Sequence, residues 1–300
     1  MKESLYKGII YASIASIFWG LPTPIYFNEL KSVNAIEVVC HRAIWSFLFL
    51  LLIIILLGRF REFINIFSNK THFFCLSLTG ILISINWLGF ILSININKLQ
   101  DASMGYYISP IISIGLGYLF FKEKMTTLKK ISLLLMILSI LILLISIKTI
   151  PYIAFIIAFS WSIYGLVRKK IKMSAEIGLI FESGFVTIFA LIYLFVYNQS
   201  DFVNENYYIK FLLIFTGIIT IFPLFVFNIG LKYLPLGLAG SIFYLAPTFF
   251  FITSIVIFNE QLLYYKLISF IIIWIAVIIF IYDNLKIDSK ISENKTQLPS

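Results

Sequence analysis

The sequence predicts an all-α integral membrane protein in which ten transmembrane helices form two inverted five-helix repeats. Of its 300 residues, 61% are hydrophobic and 12% are charged, and mean hydropathy is +1.00. A soluble domain carries about 25% charged residues, so a soluble enzyme and a disordered chain are both excluded. The apolar runs are long and continuous, as membrane helices require, and lack the short alternating segments of a membrane barrel. In addition, the sequence of the first half of the chain can be aligned with that of the second half, which indicates an internal repeat.

Ten stretches without charged residues, separated by short polar segments, predict the ten spans. They cover residues 8–28, 43–58, 73–97, 102–121, 131–147, 149–167, 183–200, 211–231, 233–259 and 267–282. The second and seventh stretches extend backwards, to about residues 35 and 175. Only 59–70 and 201–210 are long enough to be loops. The residues after Asp283 are polar and predict a disordered tail.

The basic residues predict the orientation of these spans. If the N-terminus is cytoplasmic, seventeen of the 23 Lys and Arg residues fall on the inner side and six on the outer side. Cytoplasmic loops of membrane proteins carry such an excess. We therefore expect both termini in the cytoplasm and the protein in the inner (plasma) membrane of a bacterium. The first apolar run lacks a small-residue cleavage signature, which favours an uncleaved span over a signal peptide.

An internal repeat becomes visible when the chain is laid over itself with Tyr107 on Tyr244, which aligns the third to fifth spans without a gap. The same displacement matches Pro110 with Pro247 and Glu123 with Glu260. An odd number of spans per copy forces the second copy to run upside down. We expect a first repeat over 1–147, an inverted second repeat over 148–283 and a polar cytoplasmic tail over 284–300. Inverted repeats of this kind are typical of alternating-access transporters, with the substrate site near the midplane.

Distinctive motifs recur over nearly the whole chain, from about residue 7 to residue 283. They include WGLPTPIY at 19–26, Asn86-Trp87, DASMGYYISP at 101–110, YGLVRKK at 164–170, and YLAPT at 244–248. In this order the motifs resemble RarD-type members of the EamA family, in the drug/metabolite transporter superfamily. One departure is Asp101, where the family usually has Glu.

The resemblance implies a carrier with a central cavity that moves a small organic metabolite or drug-like molecule. We expect an amino-acid-like substrate and export, with uptake or exchange as the alternative. A membrane enzyme is the rival from another class, but it would need clustered acids or histidines at one interface. The sequence has no Walker A, HExxH or nucleophile-elbow motif, so neither catalysis nor a cofactor is expected. We expect a monomer or homodimer in the bilayer, protons as a coupling ion and no nucleic-acid partner.

Aromatic and polar residues deep in the spans are the candidates for the substrate cavity. They are Trp19, Asn86, Trp87, Tyr107, Trp161, Tyr164 and Tyr244. Because 18% of the chain is aromatic, ordinary packing is the alternative for most of these rings. For Asn86 the alternative is an interhelical hydrogen bond. Prolines break a backbone hydrogen bond and bend helices, so Pro22, Pro110 and Pro247 are candidate hinges, with fixed bends as the alternative.

Four ionisable residues inside the spans are the candidates for gating or coupling. Glu37 and His41 are four residues apart and share a helix face, whereas Arg42 points elsewhere. Arg42 could contact a substrate carboxylate or form part of an outer gate; a structural ion pair or an interfacial charge is the alternative. Glu182 is a candidate proton carrier because burial favours the protonated carboxyl group, with a structural hydrogen-bonding role as the alternative. With two histidines and two cysteines, a metal site is not expected.

Overall fold

The computed structural model describes the backbone of residues 2–96, 99–146, 151–171, 173–196, 202, 205–257 and 264–296. Within these ranges the regular structure is helical, and thirteen α-helices follow one another. Their bounds are α1 Lys2–Gly20, α2 Pro22–Glu29, α3 Ala35–Leu56, α4 Phe60–Ser68, α5 Lys70–Asn95, α6 Leu99–Phe121, α7 Thr127–Ser146, α8 Tyr152–Ile171, α9 Ala175–Val196, α10 Tyr207–Tyr233, α11 Leu236–Ile242, α12 Leu245–Val256 and α13 Tyr264–Thr296.

Nine helical segments of the described chain are long and apolar enough to cross a bilayer. Two of them combine neighbouring helices, α1 with α2 and α11 with α12. The 20-residue α8, which carries three basic residues in its last turn, is not among the nine. Large apolar side chains such as Leu56, Ile145 and Phe195 are more than three-quarters exposed on the outside of the bundle. A soluble fold does not present so much apolar surface, so the chain is a multi-pass membrane protein.

The spacing of the helices repeats along the chain. α10, α11 and α13 follow α5, α6 and α7 at one constant interval, since the first residues of these pairs are numbered 70 and 207, 99 and 236, and 127 and 264. α3 and α9 are both 22 residues long, and Arg42 and Glu182 are the eighth residues of these helices. Helices with equivalent places also pack on each other, α3 on α9 and α7 on α13. The pairs α1 with α10 and α5 with α8 are likewise equivalent contacts.

The predicted loop over 59–70 contains a helix, α4, and the loop prediction is therefore wrong. Phe60, Phe63 and Phe67 fall on one face of this helix, and the Phe67 ring lies 5.5 Å from that of Phe181 on α9. The charged residues lie on the opposite face. The segment was too short and too polar to be counted as a span, but its apolar residues have helical spacing and pack on α5 and α9.

The polar residues that follow Asp283 continue the last helix, because α13 extends to Thr296. Asp283 and Asn284 are buried, and the Thr126 hydroxyl donates to Asp283 Oδ2 at 2.7 Å. Asn284 Nδ2 donates to the Phe280 carbonyl at 2.8 Å. The helix thus extends past the predicted span into the polar segment for which the sequence predicted disorder.

The candidate hinge prolines lie in two different settings. α1 ends at Gly20 and α2 begins at Pro22, where the missing N–H of proline is tolerated at a helix start. Pro110 lies inside α6, which continues through it without interruption. The segment equivalent to α6 is broken at Phe243 and Tyr244, just before Pro247, into α11 and α12. The two matched segments therefore differ locally, by one tight turn at residues 243 and 244 whose backbone dihedrals stay in the right-handed helical region.

Candidate functional site

A small cavity of about 30 Å³ lies between helices of both halves of the chain. Each water needs about 10–15 Å³ of such space, so the cavity has room for two or three. Aromatic rings make up most of its wall, namely Trp19, Trp87, Phe90, Tyr106, Trp161, Phe243 and Phe250. Its polar lining comes from Thr23, Arg42 and Asn86. We call this space the Arg42 cavity.

The Arg42 cavity brings together part of the predicted set. Four of the seven predicted cavity residues line it, namely Trp19, Asn86, Trp87 and Trp161. Tyr107 and Tyr244 pack on each other instead, with ring centroids 6.1 Å apart, and the Tyr244 hydroxyl donates to the Tyr107 carbonyl at 3.0 Å. Their neighbours Tyr106 and Phe243 line the cavity in their place. The same displacement of the chain also matches Tyr106 with Phe243. The repeat therefore indicated the right part of each helix but not which of two adjacent residues faces the cavity.

Arg42 is the charged group of this wall and is 4% exposed. Its Nε donates to Thr220 Oγ1 at 3.0 Å, and its guanidinium carbon lies 4.6 Å from the ring centroids of both Phe27 and Trp87. Nη1 has no hydrogen-bond partner. Among the residues that the structure describes, Arg42 forms no salt bridge.

The surroundings of Arg42 offset its charge only in part. Arginine stays protonated in proteins, so the charge persists on burial. A desolvated cation–π contact stabilises it by about 2 kcal/mol, whereas burying one ion costs several kcal/mol. Two rings and one neutral hydroxyl are therefore a partial substitute for an anion. A guanidinium with a free N–H at the wall of a cavity is able to bind one.

Asn86 connects three helices beside the cavity. Its Nδ2 donates to the Ile157 carbonyl at 3.1 Å and to Ser160 Oγ at 3.3 Å, both on α8. Its Oδ1 accepts from the Tyr106 hydroxyl on α6 at 3.2 Å. The amide therefore makes the interhelical hydrogen bonds that the sequence offered as the alternative to substrate contact, while the side chain still lines the wall.

Glu182 lies at the centre of a buried polar network that we call the Glu182 cluster. Arg168 Nη1 lies 3.5 Å from Glu182 Oε1, and the Thr79 hydroxyl donates to the same oxygen at 2.7 Å. The Tyr164 hydroxyl donates to Oε2 at 3.4 Å and accepts from Asn228 Nδ2 at 2.9 Å. Arg168 Nε donates to Asn228 Oδ1 at 3.1 Å. Tyr164, predicted in the cavity, thus belongs to this cluster.

Arg168 is the functional candidate that the sequence analysis missed. It begins the basic run 168–172, which indicated a cytoplasmic anchor. In the fold it is buried, and a Cβ atom on Gly178 would lie 1.5 Å from its Nη1. The guanidinium therefore reaches α9 directly over a glycine, and only the folded structure makes this side-chain contact visible.

Glu37 and His41 form a separate pair. His41 Nε2 lies 3.8 Å from Glu37 Oε1, and Trp45 Nε1 donates to His41 Nδ1 at 3.2 Å. Both residues are buried, but neither lines the Arg42 cavity. The guanidinium of Arg42 contacts other partners, as the helical spacing of these residues predicts.

Two further spaces adjoin the Glu182 cluster. A basic vestibule of about 410 Å³ is lined by Phe121, Arg168, Lys169, Met173, Asn228, Leu231 and Lys232. A void of about 10 Å³ touches Glu182 and Thr220, and Trp87 lines both this void and the Arg42 cavity. The Glu182 cluster therefore lies between the vestibule and the spaces that lead to Arg42.

The comparison with known proteins identifies the family. The family model described as the EamA-like transporter family matches residues 6–145 and 149–282. The chain belongs to this family. It is 36% identical over 288 residues to an uncharacterized transporter of Vibrio cholerae serotype O1, covering 95% of each chain. It is 33% identical to the uncharacterized transporter YojE of Bacillus subtilis, over 93% of this chain and 95% of the relative.

A third relative carries the name to which the motifs pointed. Protein RarD of Escherichia coli is 32% identical over 280 residues, which cover 92% of this chain and 94% of the relative. The predicted resemblance to RarD-type members of the EamA family is therefore confirmed, and so is a membrane transporter of the drug/metabolite superfamily. Membership in this family implies a small-molecule substrate and a position in the lipid bilayer.

In this EamA-like transporter Glu123 joins the two halves of the chain. Its carboxylate accepts from the backbone N–H groups of Leu236 and Gly237, at 2.5 and 3.1 Å. An anion at a helix N-terminus is favourable, which explains the preference for the start of α11. The matched Glu260 lies outside the described residues.

The described part of the chain offers no cluster for a metal. No group of three or more His, Cys, Asp or Glu side chains there is placed to hold an ion. Cys40 and Cys75 are free thiols, the first of them buried.

Proposed function

We propose that this chain is a secondary transporter that moves a small organic molecule by alternating access, with ten spans arranged as two inverted repeats. α8 is then the sixth span, and α1 with α2 and α11 with α12 each form one span. The constant interval between the starts of matched helices supports the repeat. The packing of equivalent helices on each other supports a two-fold relation between the halves.

One observation carries the proposal: the small Arg42 cavity lies between the two halves, and the Glu182 cluster lies between it and the basic vestibule. A cavity of about 30 Å³ is too small for a metabolite. A vestibule of about 410 Å³ is large enough for one. A transporter closed around its central site has this arrangement, because one route has to be shut before the other opens.

A local difference between two matched segments supports the same mechanism. α6 is continuous through Tyr106 and Tyr107, whereas its counterpart is broken at Phe243 and Tyr244. Tyr107 and Tyr244 lie at this point of the two segments and contact each other. In an inverted-repeat transporter the two copies exchange conformations as access alternates, so one sequence pattern has to support both shapes. Pro110 and Pro247 are the hinges we propose.

Glu182 is the group we propose for proton coupling and gating. Burial favours its neutral form, whereas Arg168 and the Thr79 hydroxyl favour the carboxylate. Taking up a proton would remove the ion pair that holds α8 to α9 and would loosen the barrier. The pair Glu37 and His41 is the alternative coupling site, because the two side chains share one helix face and His41 Nε2 lies 3.8 Å from Glu37 Oε1.

Flux into vesicles tests the proposed function. Purified protein is reconstituted into lipid vesicles, and the vesicles are loaded with a bacterial metabolite extract. The vesicle contents are then followed by mass spectrometry with and without a pH gradient. We expect at least one small organic compound to cross faster than in protein-free vesicles, in the direction that identifies export or uptake. Glu182→Gln should fold and exchange substrate but lose accumulation driven by the gradient. If no compound crosses faster than in protein-free vesicles, transport is refuted.

Accessibility to a membrane-impermeant thiol reagent tests the orientation. Ser32, in the turn between α2 and α3, and Ser68, at the end of α4, are both exposed. In a Cys75→Ser background, Ser32→Cys should react in intact cells and Ser68→Cys only after permeabilisation. The opposite result would reverse the proposed topology, with both termini outside.

A further inference from the structure

The Arg42 cavity contains a positive charge that the described protein does not neutralise. Arg42 is 4% exposed, its Nη1 has no hydrogen-bond partner, and its polar contact is the neutral hydroxyl of Thr220. Glu37, the acid nearest along α3, is engaged with His41. A permanent charge in a membrane span faces a cavity or a partner, and usually marks a pathway for substrate. Among the described residues, Arg42 has no acidic partner and lines the cavity.

The rest of the cavity wall defines what else a ligand there would meet. No acid is among its described lining residues, which are mainly aromatic rings. Trp19 and Trp161 meet edge to face with centroids 5.1 Å apart, and Phe250 stacks on Tyr106 at 5.7 Å. The Tyr106 hydroxyl is directed at Asn86, which fixes the ring. This wall suits a flat or bulky apolar group and gives no counter-charge to a cation.

We infer that the transported molecule is an organic monocarboxylate with an apolar, ring-sized body, and that its carboxylate binds the guanidinium of Arg42, which lines the cavity and has no anionic partner among the described residues. This inference rests on the proposed transport function and names its substrate class. The carboxylate completes the coordination of the guanidinium, while the body packs among Trp19, Trp87 and Trp161. The closed cavity has room for little more than the carboxylate, so the aromatic wall opens to admit the body.

The observations favour a carboxylate over other charged groups. An amine would place a second cation beside Arg42 with no described acid to pair with. A phosphate dianion would exceed the single charge of Arg42 and leave a net negative charge among apolar rings. Planar carboxylates also match the fork of a guanidinium, which places two N–H groups in parallel.

Binding of three matched probes to the purified transporter tests this inference. The probes are 3-phenylpropionate, phenethylamine and 3-phenylpropionamide, which share a ring and differ in charge. Quenching of tryptophan fluorescence and the shift of the unfolding temperature report binding, since three tryptophans line the cavity. We expect saturable binding of the carboxylate, and binding at least tenfold weaker for the amide and the amine.

Variants assign the effect to Arg42. Arg42→Leu should weaken binding of 3-phenylpropionate at least tenfold, Arg42→Lys should weaken it less, and Arg59→Leu, at a surface arginine, should leave it unchanged. Comparable binding of the amine by the unsubstituted protein overturns the inference without any variant, as does no carboxylate binding at all. Unchanged binding in folded Arg42→Leu overturns it too. If vesicle flux finds only amines or neutral solutes, transport stands and this inference falls.

Discussion

The matched helices α3 and α9 carry opposite charges at the same position, and the two charges have different surroundings. Arg42 is the eighth residue of α3, and Glu182 is the eighth residue of α9. Glu182 accepts hydrogen bonds from Thr79 and Tyr164 and pairs with Arg168 at 3.5 Å. Arg42 donates one hydrogen bond to a neutral hydroxyl and otherwise contacts rings.

This difference separates a charge that holds helices together from a charge that is available to a ligand. Glu182 and its partners connect α5, α8, α9 and α10, so that cluster contributes to the folded structure. Among the described residues, no acid contacts Arg42, although a nearby carboxylate would offset the cost of burying its charge. Removing one member of the first set should therefore lower stability, whereas removing Arg42 should mainly remove binding.

The largest effect is expected from Arg168→Leu. This change leaves Glu182 buried without its cation, and loss of one partner of a buried pair costs about 3–5 kcal/mol. The unfolding temperature in detergent, followed in a Cys75→Ser background by the reaction of the buried Cys40 thiol with a thiol dye, measures it. The double variant Arg168→Leu/Glu182→Leu should recover much of the loss, because no charge remains unpaired. A single variant as stable as the unsubstituted protein would contradict the assigned role of the pair.

A smaller loss is expected from Gly178→Ala, because its Cβ would lie 1.5 Å from Arg168 Nη1 and displace the guanidinium from Glu182. Overpacking of this kind typically costs about 1–3 kcal/mol. Gly115→Ala is the matched control, since a Cβ on that helical glycine meets nothing within 4 Å. The control should be neutral or slightly stabilising. Equal unfolding temperatures for the two variants would show that Arg168 does not depend on this glycine.

Sequence reasoning reached the helices more completely than the site. Long apolar runs and the overlay of the chain on itself predicted the spans, because a bilayer imposes length and hydropathy on each helix separately. The rotation of each helix was harder: Tyr107 was chosen where the adjacent Tyr106 faces the cavity. Aromatic and aliphatic residues surround these helices on all sides, so no polar face marks the direction of the core.

Arg168 shows the other limit of sequence reasoning. A lysine or arginine at the end of a span normally anchors the helix at the interface, and three of its neighbours in 168–172 are lysines. Its pairing with Glu182 depends on the Arg168 side chain reaching across to α9, and a single sequence does not contain that contact. The α4 helix was missed for a simpler reason, since nine amphipathic residues fall below the length of a span.

A still smaller change in stability is expected from Arg42→Leu in the absence of ligand. The variant loses two cation–π contacts of about 2 kcal/mol each but also loses the cost of burying a charge, which is several kcal/mol. We expect a net change within about 1 kcal/mol of zero, in contrast with Arg168→Leu. The same unfolding assay measures both proteins side by side. A loss as large as that of Arg168→Leu would reveal a structural role and end the comparison between the two charges.

The smallest effect is expected at the surface, where Arg59 before α4 joins Glu62 and Glu176. Arg59 Nε lies 2.6 Å from Glu62 Oε1, and Nη1 contacts Glu176 on α9. The hydrogen bond and the charge of Arg59 hold the pKa of Glu62 below its usual value. Because the folded-state pKa is lowered, this contribution is present above the ordinary pKa of glutamate and is lost as the pH falls through the lower folded value.

Arg59→Leu should therefore reduce the unfolding temperature slightly at pH 7 and flatten its fall on acidification below about pH 4.3, the ordinary pKa of glutamate. Solvent screens this ion pair, unlike the Glu182 cluster, so 1 M salt should shrink the difference between the two proteins. Unfolding temperatures between about pH 7 and pH 3, at low and high salt, measure both effects. A loss at pH 7 that rivals Arg168→Leu, or one that salt leaves unchanged, would mean that this contact between α4 and α9 acts as a buried pair and not as a surface one.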